Sequence, residues 1–157
     1  MTLYEILKKL EIPYEELSHK RAFTVKEIKS LHLDIKGQGC KNLFLKDKKN
    51  SYYLVILPED KKADFKKLKT LTTKNLFFAS PEELKSILNL EQGSVTPMGL
   101  MFDKNKKVVV LLDEELKGQT VLVHPNVNNK TISLSTDDLI RFIEYTNHTY
   151  LWMKNDI

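Results

Sequence analysis

The sequence predicts an α+β fold, in which a central mixed and mostly antiparallel sheet is covered by helices. Its 157 residues fit one domain, so we expect a single unit over residues 1–157. Candidate strands and helices are mixed along the chain, and two of the strands read as a hairpin. Several strands have apolar residues on both faces, which indicates a sheet that lies between covering layers.

The predicted helices begin at recognisable caps. Three residue pairs have the spacing of a capping box, in which side chains satisfy free backbone N–H groups: Thr2 and Glu5, Thr24 and Glu27, and Ser80 and Glu83. Pro81 takes the first helical position, where its missing N–H is not needed. Thr136 begins the final helix, and we assign no structure to the tail from Tyr150.

The predicted strands lie between these helices. The segments 41–47 and 52–57 flank the polar turn KKNS and form the expected hairpin. Four further apolar segments are strand candidates: 75–79, 107–113, 120–124 and 131–134.

The charge of the chain permits contact with nucleic acid but does not require it. The net charge is +4 and almost all cations are lysines, since Arg21 and Arg141 are the only arginines. Lysine binds phosphate as a point charge, which suits sequence-independent contact with a nucleic-acid backbone. A solvated lysine-rich surface is the alternative.

Composition also excludes several classes of protein. Cys40 is the single cysteine, so an internal disulfide and a zinc site built from several cysteines are excluded. No apolar run approaches the ~20 residues of a membrane span, and the first residues lack the apolar core of a signal peptide. We therefore expect a soluble cytoplasmic protein with no membrane partner.

Lys41 is the first candidate for chemistry, because it shares a predicted strand face with Leu43 and Leu45. Lysine is rarely buried unless it is paired. Its ammonium is therefore paired, functional, or extended to water from the strand end. Asn42 would add an amide at the same cleft. Cys40 could act as a nucleophile, although a small buried apolar residue is the more common role of a free cysteine.

The loop at residues 93–99 is the second candidate. Its residues Gly93, Ser94, Thr96, Pro97 and Gly99 exclude regular helix or strand. Glycine lets a backbone approach a ligand closely, and such a loop can direct N–H groups at a developing oxyanion. An ordinary connection between elements could have the same composition.

His124 and Asn126 place an imidazole and an amide after a predicted strand, on a turn stiffened by Pro125. The histidines of the chain, His19 among them, lack metal-binding spacing. A glycine-rich phosphate loop and a serine elbow are also absent from the sequence. We therefore expect no metal and no cofactor.

Four segments in this order resemble the YbaK/prolyl-tRNA-synthetase-associated editing domain family: LSHKRAFTVKEI at 17–28, KNLFL at 41–45, GSVTPMG at 93–99 and VHPNVNNKT at 123–131. The resemblance covers residues 2–147 and is closest to the free-standing prolyl-type deacylases, the ProX or PrdX group. It implies a hydrolase that cleaves the ester of mischarged tRNA specific for proline, with alanine as the amino acid. A deacylase for cysteine, as in the YbaK branch, and a non-catalytic module that binds aminoacyl-tRNA or a synthetase are the alternatives.

The resemblance also implies roles for individual residues. Those implied in catalysis are Lys41, Gly93, Thr96, Pro97 and Gly99. Lys41 would hold the terminal adenosine phosphate or the ester region, the loop would polarise the carbonyl, and water would attack it. Those implied in substrate binding are Asn42, Ser94, His124, Asn126 and His19.

One departure concerns the opening motif, in which the family usually has proline after the histidine. Here Lys20 and Arg21 follow His19. The implied partners are the acceptor end of tRNA specific for proline and prolyl-tRNA synthetase. Lysines that would contact the acceptor end include Lys46, Lys48 and Lys74.

Overall fold

The protein is described here by a computed structural model that covers residues 1–22, 24–30 and 34–154. Phe23 of the opening motif and residues 155–157 of the predicted domain lie outside the described residues. Over the described ranges the helices are α1 (Leu3–Lys9), α2 (Val25–Ser30), α3 (Phe65–Thr72), α4 (Pro81–Leu88) and α5 (Thr136–Tyr145), with 3₁₀ helices at Pro97–Phe102 and Glu114–Leu116. The strands are β1 (Glu15–Ser18), β2 (Gln38–Lys46), β3 (Tyr52–Pro58), β4 (Phe77–Phe78), β5 (Val108–Asp113), β6 (Thr120–Val123), β7 (Lys130–Ser135) and β8 (Tyr150–Met153).

The strands form one mixed sheet in the order β1-β7-β6-β2-β3-β5-β8, and β4 pairs with β2 outside this path. Three pairings are parallel, namely β2 with β6, β3 with β5, and β5 with β8. The other four pairings are antiparallel. The predicted hairpin is the antiparallel pair β2–β3, and the predicted fold class is confirmed.

The helix caps form largely as the sequence predicts. Thr2 with Glu5 caps α1, and Ser80 with Glu83 caps α4, in both cases with reciprocal side-chain hydrogen bonds. Pro81 is the first residue of α4. These contacts satisfy N–H groups that a helix leaves free at its start, so local sequence fixes where both helices begin.

The end of the chain differs from the prediction. The final helix α5 stops at Tyr145, and Asn147 follows with a φ of 62°, a left-handed conformation that ends a helix. The chain then returns to the sheet as β8, parallel to β5, in the segment to which the sequence assigned no structure.

Both faces of the sheet are covered. The larger core includes buried side chains of α1, α4 and α5, such as Leu7, Leu88 and Phe142. The smaller core joins Leu68 of α3 to Leu45 on the opposite face. Among the described helices, none has the length and apolar character required to cross a bilayer.

The edge of β2 that faces β6 and β4 is only partly paired, and this gap positions the site. Gln38 and Gly39 pair with β6, while Leu45 and Lys46 pair with β4. Between these pairings, residues 40–43 have no strand partner on this edge within the described part of the chain. The sheet is therefore open along the middle of β2.

A buried carboxylate and imidazole connect the start of β5 to the start of β8. Asp103 Oδ2 lies 2.9 Å from His148 Nε2, and it accepts the N–H of Val108 at 2.9 Å. His148 Nδ1 lies 2.8 Å from the hydroxyl of Thr146. Burial raises the pKa of Asp103, but the hydrogen bonds from His148 and the backbone together outweigh burial, so the pKa lies below its ordinary value.

Candidate active site

A cavity of about 370 Å³ lies where β2 is open. Lys41 and Asn42 of β2 line it, together with Gly93 and Val95 from the loop after α4 and His124 from the end of β6. Three segments that are far apart in sequence therefore meet around one space. Its volume is within the range of pockets that bind small ligands.

Lys41 has an uncommitted ammonium group. The side chain is half-buried in the cavity wall, and its Nζ forms no ion pair with any of the described carboxylates. Lys46, further along the same strand, is instead paired with Glu83 at 2.7 Å. From the sequence alone, Lys41 could have been ion-paired. The described contacts do not support that alternative. Its cation is free to bind an anionic ligand.

Asn42 has a side-chain oxygen ready to accept a hydrogen bond. Its Oδ1 is buried and has no partner within the described residues. Buried polar atoms are normally hydrogen-bonded, so an unpartnered one in a cavity wall indicates a place for a ligand donor. Asn126 also has a buried, unpartnered Oδ1, but its Nδ2 contacts Met101 Sδ at 3.6 Å and it does not line the cavity.

His124 presents a neutral imidazole to the cavity. Burial lowers its pKa and outweighs the opposing hydrogen bond with the backbone of Lys130, and the nearby His19 adds a smaller lowering effect. Nδ1 lies 2.9 Å from the carbonyl oxygen of Lys130, which can only accept, so Nδ1 carries the hydrogen. Nε2 is therefore the acceptor nitrogen of His124.

His19 supports this wall without lining it. Its ring centroid lies 6.4 Å from that of His124. Its Nε2 lies 2.9 Å from the hydroxyl of Thr131, a residue that does line the cavity. The predicted contact between His19 and substrate stays a prediction, and the structure gives His19 a position beside the cavity.

The loop at 93–99 is held against the end of β6 by Thr96. Its side chain is fully buried, and Oγ1 donates to the carbonyl oxygen of His124 at 2.5 Å. Gly93 has a φ of 88°, in the left-handed region where glycine is favoured, and its backbone reaches the cavity. This hydrogen bond fixes the position of the loop relative to the imidazole.

Four of the predicted loop residues are buried and do not line the cavity: Ser94, Thr96, Pro97 and Gly99. A side chain at Gly99 would place its Cβ 2.7 Å from Leu90 Cδ1, so this position requires a very small residue for packing. The catalytic roles predicted for Thr96, Pro97 and Gly99 and the substrate-binding role predicted for Ser94 stay predictions, and the burial of these residues fits a role in positioning the loop.

Glu59 is a cavity residue that the sequence did not reveal. It follows β3, lines the cavity, and packs so closely on Gly39 that a Cβ there would overlap its carboxylate. Burial raises the pKa of Glu59, Lys29 opposes the rise, and Asp60 makes a smaller contribution in the same direction as burial. A glutamate followed by Asp60, Lys61 and further charge reads as a solvated turn, so no sequence signal separates it from its neighbours.

Cys40 also lines the cavity, but it is not an activated nucleophile. Burial, with a contribution from Glu59, raises the pKa of its thiol to about 12. The thiol is therefore protonated at neutral pH, and thiolate is the nucleophilic form.

Within the described ranges, no three histidine, cysteine or acidic side chains are grouped closely enough to hold a metal ion.

These features define an α+β protein with a small cavity at an open sheet edge. The cavity contains an ammonium, an unpartnered amide oxygen, a neutral imidazole and a carboxylate. The chain belongs to the aminoacyl-tRNA editing domain family, whose model matches residues 19–142. The family resemblance predicted from the four sequence segments is therefore confirmed.

Curated relatives are similar over almost the whole chain. The prolyl-tRNA editing protein ProX of Acetoanaerobium sticklandii is 35% identical over 92% of this chain and 90% of its own length. The prolyl-tRNA synthetase associated domain-containing protein 1 of Danio rerio is 38% identical over 98% of this chain and 86% of its own.

Solved structures share the fold. A candidate trans-editing enzyme for prolyl-tRNA synthetase aligns with a TM-score of 0.70 at 20% identity, covering 98% of this chain and 97% of its own. A hypothetical protein aligns with a TM-score of 0.74 at 21% identity, covering 94% and 95%. At these identities the likeness shows that the fold is shared.

Proposed function

We propose that the protein is a trans-acting deacylase that hydrolyses the ester between a wrong amino acid and tRNA specific for proline, with alanine as the preferred amino acid. The observation that carries the proposal is the uncommitted ammonium of Lys41, which shares one small cavity with the loop at Gly93 and the imidazole of His124. Family membership and the similarity to a protein named as a prolyl-tRNA editing protein support it. The proposal implies that the protein acts in the cytoplasm, on the tRNA acceptor end and beside prolyl-tRNA synthetase.

The reaction requires few groups from the protein. Water adds to the ester carbonyl, the bond to the ribose oxygen breaks, the amino acid leaves, and the ribose oxygen takes up a proton. Lys41 would bind the terminal phosphate or the ester region, where its charge offsets negative charge that develops on oxygen. Backbone N–H groups near Gly93 would polarise the carbonyl. A ribose hydroxyl of the substrate is the proposed activating group for water.

The remaining cavity residues would select the amino acid. The α-ammonium of an aminoacyl ester is cationic, and the Glu59 carboxylate is the anionic group of the wall. His124, held by Lys130, would form a rigid limit to the side-chain space. Such a second site is useful because a synthetase pocket for proline gains only ~1–3 kcal/mol against a smaller apolar residue.

Release of amino acid from charged tRNA tests the proposal. Purified protein is incubated with tRNA specific for proline that carries alanine, cysteine or proline. We expect fastest release of alanine and little release of proline. Preferential release of cysteine would assign the protein to the YbaK type, and tRNA binding without release, weakened by salt, would favour a binding module.

The variant Glu59→Gln tests the role of the carboxylate. Because it removes charge at nearly constant shape, we expect KM for alanyl-tRNA to rise about tenfold, the loss of one hydrogen bond to a charged group, with kcat little changed. The raised pKa of Glu59 means that its ionised form is lost at a higher pH than for an ordinary glutamate as pH falls. The acidic limb of the KM profile should therefore flatten in the variant.

The matched control is Glu91→Gln, which changes a glutamate whose side chain is 76% exposed and which does not line the cavity. It should leave KM unchanged. Equal KM values for Glu59→Gln and the wild type would remove Glu59 from the binding site.

A further inference from the structure

We propose that an aromatic surface beside the cavity binds the unpaired nucleotides that precede the 3′ end of tRNA. The aromatic surface consists of Phe65 and Phe78, which are 41% and 61% exposed. The inference rests on the proposed function and extends it from the ester to the bases before it.

The two rings are in contact. The centroids of Phe65 and Phe78 lie 6.3 Å apart with the ring planes at 62°, an edge-to-face contact between α3 and β4. The adjacent Phe77 points to the opposite face of β4, where the ammonium of Lys46 lies 5.8 Å from its ring centroid. Single exposed apolar side chains are common, whereas two exposed rings in contact are a candidate interaction site.

The register of the sheet relates this surface to the cavity. Phe78 is directly opposite Leu45, so its side chain points to the same face of the sheet as Leu45, Leu43 and Lys41. Four residues of strand separate Lys41 from Leu45, about 13 Å at the usual rise. That length corresponds to about four bases stacked at ~3.4 Å. A 3′ end bound at Lys41 would bring its preceding bases to Phe78.

The charges around the surface favour nucleic acid over a second copy of the chain. Lys69 lies four residues after Phe65 on the same side of α3, and Lys74 lies in the segment that leads to β4. Both are exposed, and neither is ion-paired to any described carboxylate. Exposed rings next to free cations are the combination that binds single strands, by stacking and phosphate contact. Two such surfaces facing each other would repel.

Binding of a short single-stranded RNA that ends in CCA tests the proposal, measured by fluorescence anisotropy at two salt concentrations. Stacking contributes ~1–3 kcal/mol per base, so we expect Phe78→Ala to weaken binding at least about fivefold. Phe78→Leu should weaken it similarly, since it keeps an apolar side chain without a π-face, and Phe78→Trp should retain it. Leu151→Ala, which changes a residue of β8 that is 42% exposed, is the control and should have no effect.

A second measurement separates this proposal from the proposed function. Hydrolysis is compared between alanyl-tRNA and an alanyl ester of adenosine, which lacks the preceding nucleotides. Phe78→Ala should lower kcat/KM for the tRNA at least about fivefold and leave that for the adenosine ester unchanged. If the wild type hydrolyses neither substrate while RNA binding still depends on Phe78, the deacylase assignment fails and the aromatic surface stands.

Two results would overturn the proposal. One is RNA binding by Phe78→Ala and Phe78→Leu equal to that of the wild type. The other is a wild-type protein that sediments as a dimer and becomes a monomer in Phe78→Ala without a change in RNA affinity, which would make the surface an interface between copies.

Discussion

Replacing Lys41 by methionine should lower kcat/KM for deacylation at least about 100-fold, the usual effect of removing a group that stabilises charge in the transition state. Methionine keeps most of the apolar stem and removes the charge. The ammonium of Lys41 has no ion pair with the described carboxylates, so its removal breaks no structural contact of that kind. We therefore expect the midpoint of urea unfolding to stay close to that of the wild type.

Two further variants sharpen the Lys41 experiment. Lys41→Arg keeps the charge but presents a larger planar group, and we expect its loss of activity to be as large as that of Lys41→Met. Lys104→Ala removes an exposed lysine that does not line the cavity, and it should be as active as the wild type. Activity of Lys41→Met within a few-fold of the wild type would refute the proposed catalytic role.

Replacing His148 by alanine should lower the free energy of unfolding by about 3 kcal/mol, because it leaves the Asp103 carboxylate buried without its imidazole partner. The side chains of His148 and Asp103 are 0% and 2% exposed. The loss also disconnects Thr146, which bonds the other ring nitrogen. Urea unfolding at neutral pH measures the effect.

Two controls test whether the stability of the His148–Asp103 pair depends on its burial and on the charge of Asp103. Lys85→Ala breaks an exposed ion pair with Glu91 and should change stability by less than about 1 kcal/mol. The pKa of Asp103 is lower in the folded than in the unfolded state, so its contribution is present above ~pH 4 and is lost as pH falls through the folded pKa. The stability difference between wild type and Asp103→Asn should shrink over that range. A stability difference that does not change with pH would contradict the stabilising role of the ionised Asp103 carboxylate.

Local sequence was enough to predict most of the fold. Capping boxes at Thr2 and Ser80 act within one helical turn, and the hairpin of β2 and β3 needs only a short turn, so both are visible without tertiary information. The pairing of β3 with β5 is parallel and joins segments about 50 residues apart, which no local pattern encodes. The strand β8 was missed because its four residues follow a helix closely and are stabilised by β5.

Residue types indicated candidate positions for the site, and the family resemblance selected among them. The sequence singled out Lys41, Gly93 and His124 by residue type, the family resemblance implied roles for them, and the structure brings all three to one cavity. Glu59 and Phe78 were not singled out, since a charged strand end and an aromatic strand residue are ordinary in sequence. The structure distinguishes Glu59 by its close packing on Gly39, and it distinguishes Phe78 by the exposure of its ring.

The open edge of β2 has a consequence for how such a protein could change its preference among amino acids. The carbonyl of Phe44 accepts from Ala79 on this edge, and alternation along a strand directs the peptide groups of Asn42 and Cys40 the same way. Donors and acceptors of the main chain are present whatever side chains those positions hold. Substitution of side chains that line the cavity can therefore change which amino acid is preferred. The main-chain groups that could contact the ester, which all aminoacyl-tRNAs share, stay the same.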